Sequence, residues 1–431
     1  MIRFVTVFAA LMVALPLRAE IAIKEVVSPG GITAWLVEEH SIPFVALELR
    51  FKGGGSLDAP GKRGATNLMV GLLEEGTGEM DAMDYARAAE ELAAEFEYDT
   101  FDDSVMISAR FLSEYRDASV DLLRRSIVAP RFDDVSIARV KDQVIAAIRA
   151  DAKDPDRIAG RTFDALAFGD HPYATSLNGT EASVTALSRD DILAAHTGAL
   201  ALDRVYVSAV GDITAEELGL LLDRLLSGLP ETGAALPAAA EYALEGGETL
   251  VNFATPQSVA IFGHEGIERH DPDFFAAYVL NVILGGGGFE SRLMTEVREK
   301  RGLTYGVNTF LIPKDHGQLY LGSVASANDR IRQAMTVIRD EWARMAAEGP
   351  SEEELAEAKT YLTGAYPLRF DGNGPIANIL VGMQLDDLPI DYAATRNDKV
   401  NAVTLEDVRR VAQRILRPED LHFVIVGQPE G

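Results

Sequence analysis

The sequence predicts an α+β protein of two similar domains born of an internal duplication. Each domain is an antiparallel-rich sheet with helices packed on it, and together they form half of a clamshell. Three observations carry this. Residues 184–212 (VTALSRDDILAAHTGALALDRVYVSAVGD) align without gaps with residues 400–428 (VNAVTLEDVRRVAQRILRPEDLHFVIVGQ), an offset of 216. Both copies open on a capping residue with an acid three later, Ser188/Asp191 and Thr404/Asp407, the signature of a helix start. Both then run through an apolar strand to a glycine, Gly211 or Gly427, and shorter matches precede them: 44–47 with 258–261, and 65–73 with 276–284. So long a period is no solenoid unit and marks duplicated domains.

In chain order, residues 1–19 read as a secretory signal. Arg3 is the lone early charge, residues 4–15 are apolar, Pro16 breaks the run, and Ala19 suits cleavage. The run is too short to span a bilayer comfortably. The expected location is the periplasm, and a chain without cysteine must rely there on its buried core. The first domain is expected over 20–227 and the second over 248–431. Between them a Gly-, Pro- and Ala-rich linker covers 228–247. In the first domain, strands are expected at 32–39, 44–51 and 104–111, and helices at 64–75, 85–95, 116–128 and 137–152. The same order recurs in the second, which argues for strands paired in sequence with helices on one side.

The formal charge is −27, and losing Arg3 and Arg18 with the signal makes it −29. A surface so acidic repels nucleic acid and anionic membrane and favours basic peptides.

Chemistry-bearing residues are sparse. No pair among His40, His171, His196, His264, His270, His316 and His422 has the i, i+3 or i+4 spacing of a helical metal face. His264-Glu265 and His270 read as solvated rim residues. The acids from Glu90 to Asp103 read as a solvated face. No G-x-S-x-G elbow is present.

The most structured signal is LGGGGFESRLMTEVREKRGLTYGV, residues 284–307. After Gly285, Gly286, Gly287 and Gly288, the residues Phe289, Leu293, Met294 and Val297 mark one face of a helix. Gly302 is the type that ends a helix in the left-handed conformation. The pattern puts Arg298 in the last helical turn and Tyr305 at the start of a strand over 303–312. A guanidinium and a phenol there are either ordinary structural choices or two donors converging on one acceptor, such as a peptide carbonyl. The glycines lack the Lys-Ser/Thr that closes a phosphate loop.

The duplicated halves, the glycine run, RLMTEVREKRGLTYGV and HPYATSLNGT (171–180) together resemble the inverted-zincin metallopeptidases, the pitrilysin and mitochondrial-processing-peptidase family. The resemblance covers essentially the whole mature chain. It implies an H-x-x-E-H helix that holds zinc, activates water through its glutamate and is completed by a distant Glu. Here Asn67, Val70 and Gly71 stand at the His, Glu and His positions, and Ala147 at the distant one. Glu74 and Glu75 nearby do not restore a three-ligand site. The resemblance also implies that Arg298 and Tyr305 hold the substrate carbonyl and that Gly285–Gly288 line the substrate path. The reading is therefore a chain that binds no cofactor itself. A homologous partner carrying H-x-x-E-H would supply zinc, and peptides would be the substrates. The alternative is a catalytically silent scaffold or peptide-binding protein of the same fold.

Overall fold

The computed structural model describes residues 22–430, so the signal expected at 1–19 lies outside the described residues. The first half holds strands β1 (Lys24–Val27), β2 (Thr33–Glu38), β3 (Phe44–Lys52), β4 (Glu95–Thr100), β5 (Ser104–Leu112) and β6 (Val205–Gly211). They form one sheet in the order β1-β2-β6-β3-β5-β4. The second half holds β7 (Gly247–Asn252), β8 (Gln257–Glu265), β9 (Val307–Lys314), β10 (Gly317–Ala327) and β11 (His422–Gly427), in the order β7-β11-β8-β10-β9. Without β1 the two orders are the same. Pairing is antiparallel except at one matching place in each half, where β6 runs parallel to β2 and β11 parallel to β7. The repeated strand that ends in Gly211 or Gly427 is thus inserted between the first two long strands of its half, β2 and β3 or β7 and β8, a topology that no local pattern announces.

The helices are α1 (Ala65–Gly71), α2 (Ala82–Glu91), α3 (Arg116–Val128), α4 (Asp134–Asp151), α5 (Pro155–Phe168), α6 (Glu181–Ala186), α7 (Arg189–Ala199) and α8 (Ala215–Leu226) in the first half. The second half adds α9 (Phe274–Asn281), α10 (Ile331–Glu348), α11 (Glu352–Ala365), α12 (Asn373–Leu385), α13 (Tyr392–Ala402) and α14 (Leu405–Ile415). The repeated capping pairs form reciprocal boxes: Ser188 with Asp191 starts α7, and Thr404 with Asp407 starts α14.

Each half buries one sheet face under its own helices, with Leu47, Leu49 and Phe51 of β3 packed among Leu68, Leu123 and Leu222. The opposite faces are covered by exchange. Helix α12 of the second half lies on the first sheet, where Ala377, Leu380 and Met383 meet Trp35, Ala46 and Val210. Three hydrogen bonds fix it: Ser208 Oγ to Ala377 O (2.6 Å), Gln384 Nε2 to Val207 O (2.8 Å) and Arg50 to Asn378 Oδ1 (2.6 Å). Reciprocally, Phe163, Ala167 and Phe168 of α5 pack against Leu319, Leu321, Val424 and Val426 of the second sheet. That exchange explains why Glu48 and Arg50, on the polar side of β3's alternation, are both only 7% exposed.

The halves also meet at a polar clasp. Lys314 donates to Asp102 (2.6 Å), the Asp315 backbone N–H to Asp103 (3.2 Å), and the His316 backbone N–H to Tyr173 Oη (3.0 Å), which in turn donates to Asp103 (2.5 Å). Asp102 and Asp103 therefore do not belong to the solvated acidic face expected for them; only Glu90, Glu91, Glu95, Glu97 and Asp99 of that series are exposed. Residues 227–246 carry no helix or strand, yet they are tied down as a strap. Ala240 and Ala243 donate to His316 O (2.6 Å) and Ala167 O (2.9 Å), and Tyr242 and Leu244 pack against the α5 core.

Candidate functional site

Helix α1 is built on a capped, tightly packed start. Gly64 sits at φ +96°, and an added Cβ would come within 2.7 Å of the Asn178 carbonyl oxygen. The Asp58 carboxylate accepts from Gly64 N (2.8 Å), Thr66 N (2.8 Å) and Thr66 Oγ1 (2.7 Å), satisfying the first N–H groups of the helix. The segment at 171–180 returns to this point, where Asn67 Nδ2 donates to Asn178 Oδ1 (3.0 Å). Val70 is buried, Gly71 faces Val140, and Ala147 is exposed on α4. Glu75 pairs with Arg139, and Glu74 lies in solvent. A committed amide, an aliphatic side chain, a glycine and an alanine are not a zinc donor set. Among the described residues, no group of three or more His, Asp or Glu side chains is placed to hold a metal ion.

The glycine-rich stretch departs from its expected form. Helix α9 does not stop before the glycines but widens into π-turns over Val282–Gly286, and a second π-helical segment follows at Met294–Glu299. Such turns are rare and often mark functional sites. Three of the four glycines are required by close packing. Cβ atoms added at Gly285, Gly286 and Gly287 would fall 2.5–2.6 Å from Thr309 Oγ1, Asn281 Nδ2 and the Val282 carbonyl oxygen respectively. Only Gly288, at φ +67°, opens onto free space. Gly285→Val is expected to destabilise the chain by about 1–3 kcal/mol through overpacking. Urea unfolding checks this, and an unchanged midpoint would mean that the helix can move off β9.

The turn that carries Arg298 is closed by Gly302 at φ +61°. Gly302 N donates to Arg298 O (2.8 Å) and Leu303 N to Val297 O (3.0 Å). Each ring is one residue wider than in a Schellman cap, because the helix arrives as π-turns. The flanking cations are held by carboxylates. Arg292 forks onto Glu354 (2.6 and 2.8 Å), while Lys300 and Arg301 both pair with Glu296 (2.7 Å each) and hold its carboxyl below the usual range. Arg298 itself is half-buried. Tyr305 is not at a strand start, since β9 begins two residues later at Val307. It stands in the loop between and is 88% exposed. Its neighbour Thr304 pins that loop by donating to Ala325 O (2.7 Å) and accepting from Gly306 N (3.0 Å), and Ser326 Oγ donates to Leu303 O. An exposed phenol on a fixed loop follows a half-buried guanidinium in the preceding helical turn.

His264 is the clearest correction. It is fully buried, not a rim residue: Nδ1 donates to Glu265 O (2.7 Å), and Nε2 accepts from Trp342 Nε1 (3.1 Å). Burial pushes its pKa down to about 4. His270 is exposed, as expected. His196 is also a core residue, bonded to Ile127 O (2.7 Å).

Comparison with known proteins decides the family. Residues 34–181 match the family described as insulinase (peptidase family M16), and residues 186–362 match the M16 peptidase inactive domain. This chain belongs to the M16 peptidase family. Its M16 relatives include a Helicobacter pylori protein named as a non-peptidase homolog, 26% identical over 95% of each chain. Another, from Mycobacterium leprae and named as a zinc protease, is 29% identical over 90% of this chain and 88% of its own. The crystal structure of an M16 inactive domain from Pseudomonas fluorescens superposes with a TM-score of 0.89 at 27% identity, covering 95% of this chain and 98% of that one. The fold is thus that of the M16 family, and the positions that resemble its zinc site carry Asn67, Val70, Gly71 and Ala147.

Proposed function

We propose that this chain is the non-catalytic, substrate-binding subunit of a periplasmic two-chain zinc peptidase. A homologous partner bearing H-x-x-E-H supplies the metal and its water. This chain closes the chamber and presents Arg298 and Tyr305 to the carbonyl of a bound peptide. The observation that carries the reading is the contrast within one chain. The metal positions hold Asn67, Val70, Gly71 and Ala147, whereas the Arg298–Tyr305 connection is closed by a left-handed glycine and pinned by Thr304. Donors aimed at charge that develops in the transition state contribute most when pre-positioned. The −27 charge favours basic peptides. No helix among the described residues is long and apolar enough to cross a membrane.

The test is to purify the complex this chain forms in its own periplasm, then measure zinc and peptide hydrolysis for the complex and for the lone chain. The expected result is metal and hydrolysis in the complex alone. Arg298→Ala should lower hydrolysis at least about tenfold without loss of assembly. Unchanged hydrolysis would overturn the role of Arg298. The name of the Helicobacter pylori relative, a non-peptidase homolog, favours a second reading, a silent scaffold, which predicts a complex free of zinc.

A further inference from the structure

In the second half, α9, α12, α13 and the segment Tyr366–Arg369 line a cavity of about 410 Å³. This is the size of a small-molecule site. Its walls alternate aromatic rings and guanidinium groups. Arg269 lies 4.4 Å from the Phe274 ring centroid, and Arg396 lies 4.5 Å from that of Tyr366 and 5.5 Å from that of Tyr278. Ile379 and Met383 of α12 add an apolar floor.

The charge balance of this cavity is unlike that of the chain. Three arginines line it, Arg269, Arg369 and Arg396, against a single carboxylate, Asp386. Asp386 lies 3.5 Å from Arg269. Arg396 is only 5% exposed. It donates to Leu362 O (2.8 Å) and Asn397 Oδ1 (2.9 Å), but among the described residues it forms no ion pair with a carboxylate, and neither does Arg369. A guanidinium so deeply buried is ordinarily paired with an anion. The space is also kept open. Gly382 is an interior residue of α12, where glycine costs a helix about 1 kcal/mol relative to alanine, yet a Cβ added there would meet no atom within 4 Å. No packing constraint demands that glycine, whereas a ligand lying against α12 would.

We propose that this cavity binds a carboxylate carried on an apolar body, with the carboxylate set against Arg396 and Arg369 and the body between the aromatic wall and Ile379 and Met383. Arginine forks match a carboxylate in two-point geometry, and their ring-stacked placement keeps them oriented. The free C-terminus of an apolar peptide and a small aromatic acid share this chemistry. The inference concerns the lone chain and does not depend on the partner subunit.

Calorimetric titration of the purified full chain tests it with three probes: N-acetyl-Leu-Phe, its C-terminal amide, and 3-phenylpropanoate. The expected result is saturable binding of the peptide acid and at least about tenfold weaker binding of the amide, which keeps the body and lacks the charge. If 3-phenylpropanoate matches the peptide acid, the ligand is a small acid; if it binds more weakly, the source is a peptide terminus. Gly382→Leu fills the cavity while favouring the helix, and Arg369→Gln removes an exposed charge outside any ion pair. Each should abolish or weaken binding with the fold intact by circular dichroism. Acid and amide binding alike, no saturation at millimolar concentration, or full binding by Gly382→Leu would overturn the proposal.

Discussion

Trp342→Ala should cost the folded chain about 3–5 kcal/mol, among the largest losses that any single core truncation here would produce. The indole is fully buried, 4.9 Å from the Tyr320 ring and 6.1 Å from that of Phe262. Its removal opens a void that α10 cannot close, because α10 also packs through Ile338 and Met345. It also strips His264 Nε2 of its donor. That imidazole is held neutral by burial, with its pKa near 4, so it needs a hydrogen bond rather than a counter-ion. Trp342→Phe separates the two losses: it restores most of the volume and leaves the nitrogen unpaired, at an expected cost of about 1–3 kcal/mol. Urea unfolding of both variants measures the split. Equal losses would mean that the hydrogen bond, not the volume, carries the effect.

The second large effect belongs to the contact between halves. Glu48 and Arg50 form a 3.0 Å ion pair with both side chains 9% exposed. Ser108 Oγ donates to the carboxylate (2.7 Å), and Arg50 donates onward to Asn378 of α12 (2.6 Å). Burial pushes the Glu48 pKa up and the Arg50 pKa down, so each charge lost water on folding and depends on the other. Glu48→Ala leaves the guanidinium uncompensated beneath α12 and should destabilise by about 3–5 kcal/mol. The double change Glu48→Leu with Arg50→Met removes both charges and should cost far less. A double variant as unstable as the single one would refute this account.

The same strand shows where sequence reading stops. The residues of β3 alternate as a half-solvated strand should, with Glu48 and Arg50 on the polar side, and nothing local reveals that a helix more than three hundred residues later covers them. His264 shows the same limit: it sits near a strand end beside Glu265 and Gly266, and it is Trp342 from α10 and Tyr320 from β10 that make it a core residue. Asp102 and Asp103 looked like part of an acidic run until Lys314 crossed to them. Features governed by short-range rules were legible. The capping boxes of α7 and α14, the span of α3 and the left-handed Gly302 stand where the patterns put them. At the candidate site, the Arg298 turn was legible for this reason. The π-turns were not: Gly285 within them packs closely on Thr309 of a strand formed later in the chain, a contact that no local pattern announces.

The exchanged helices have a consequence for how the chain acquires its structure. The first sheet can be assembled once β6 has been made, but the side bearing Trp35, Ala46 and Val210 stays uncovered until α12 emerges near the C-terminus. During synthesis the N-terminal portion must therefore wait with an apolar surface exposed, the kind of intermediate that recruits chaperones. Once complete, the two portions are held together by these packed faces as well as by the strap. A protease nick within 227–246 would thus leave a noncovalent pair rather than two fragments.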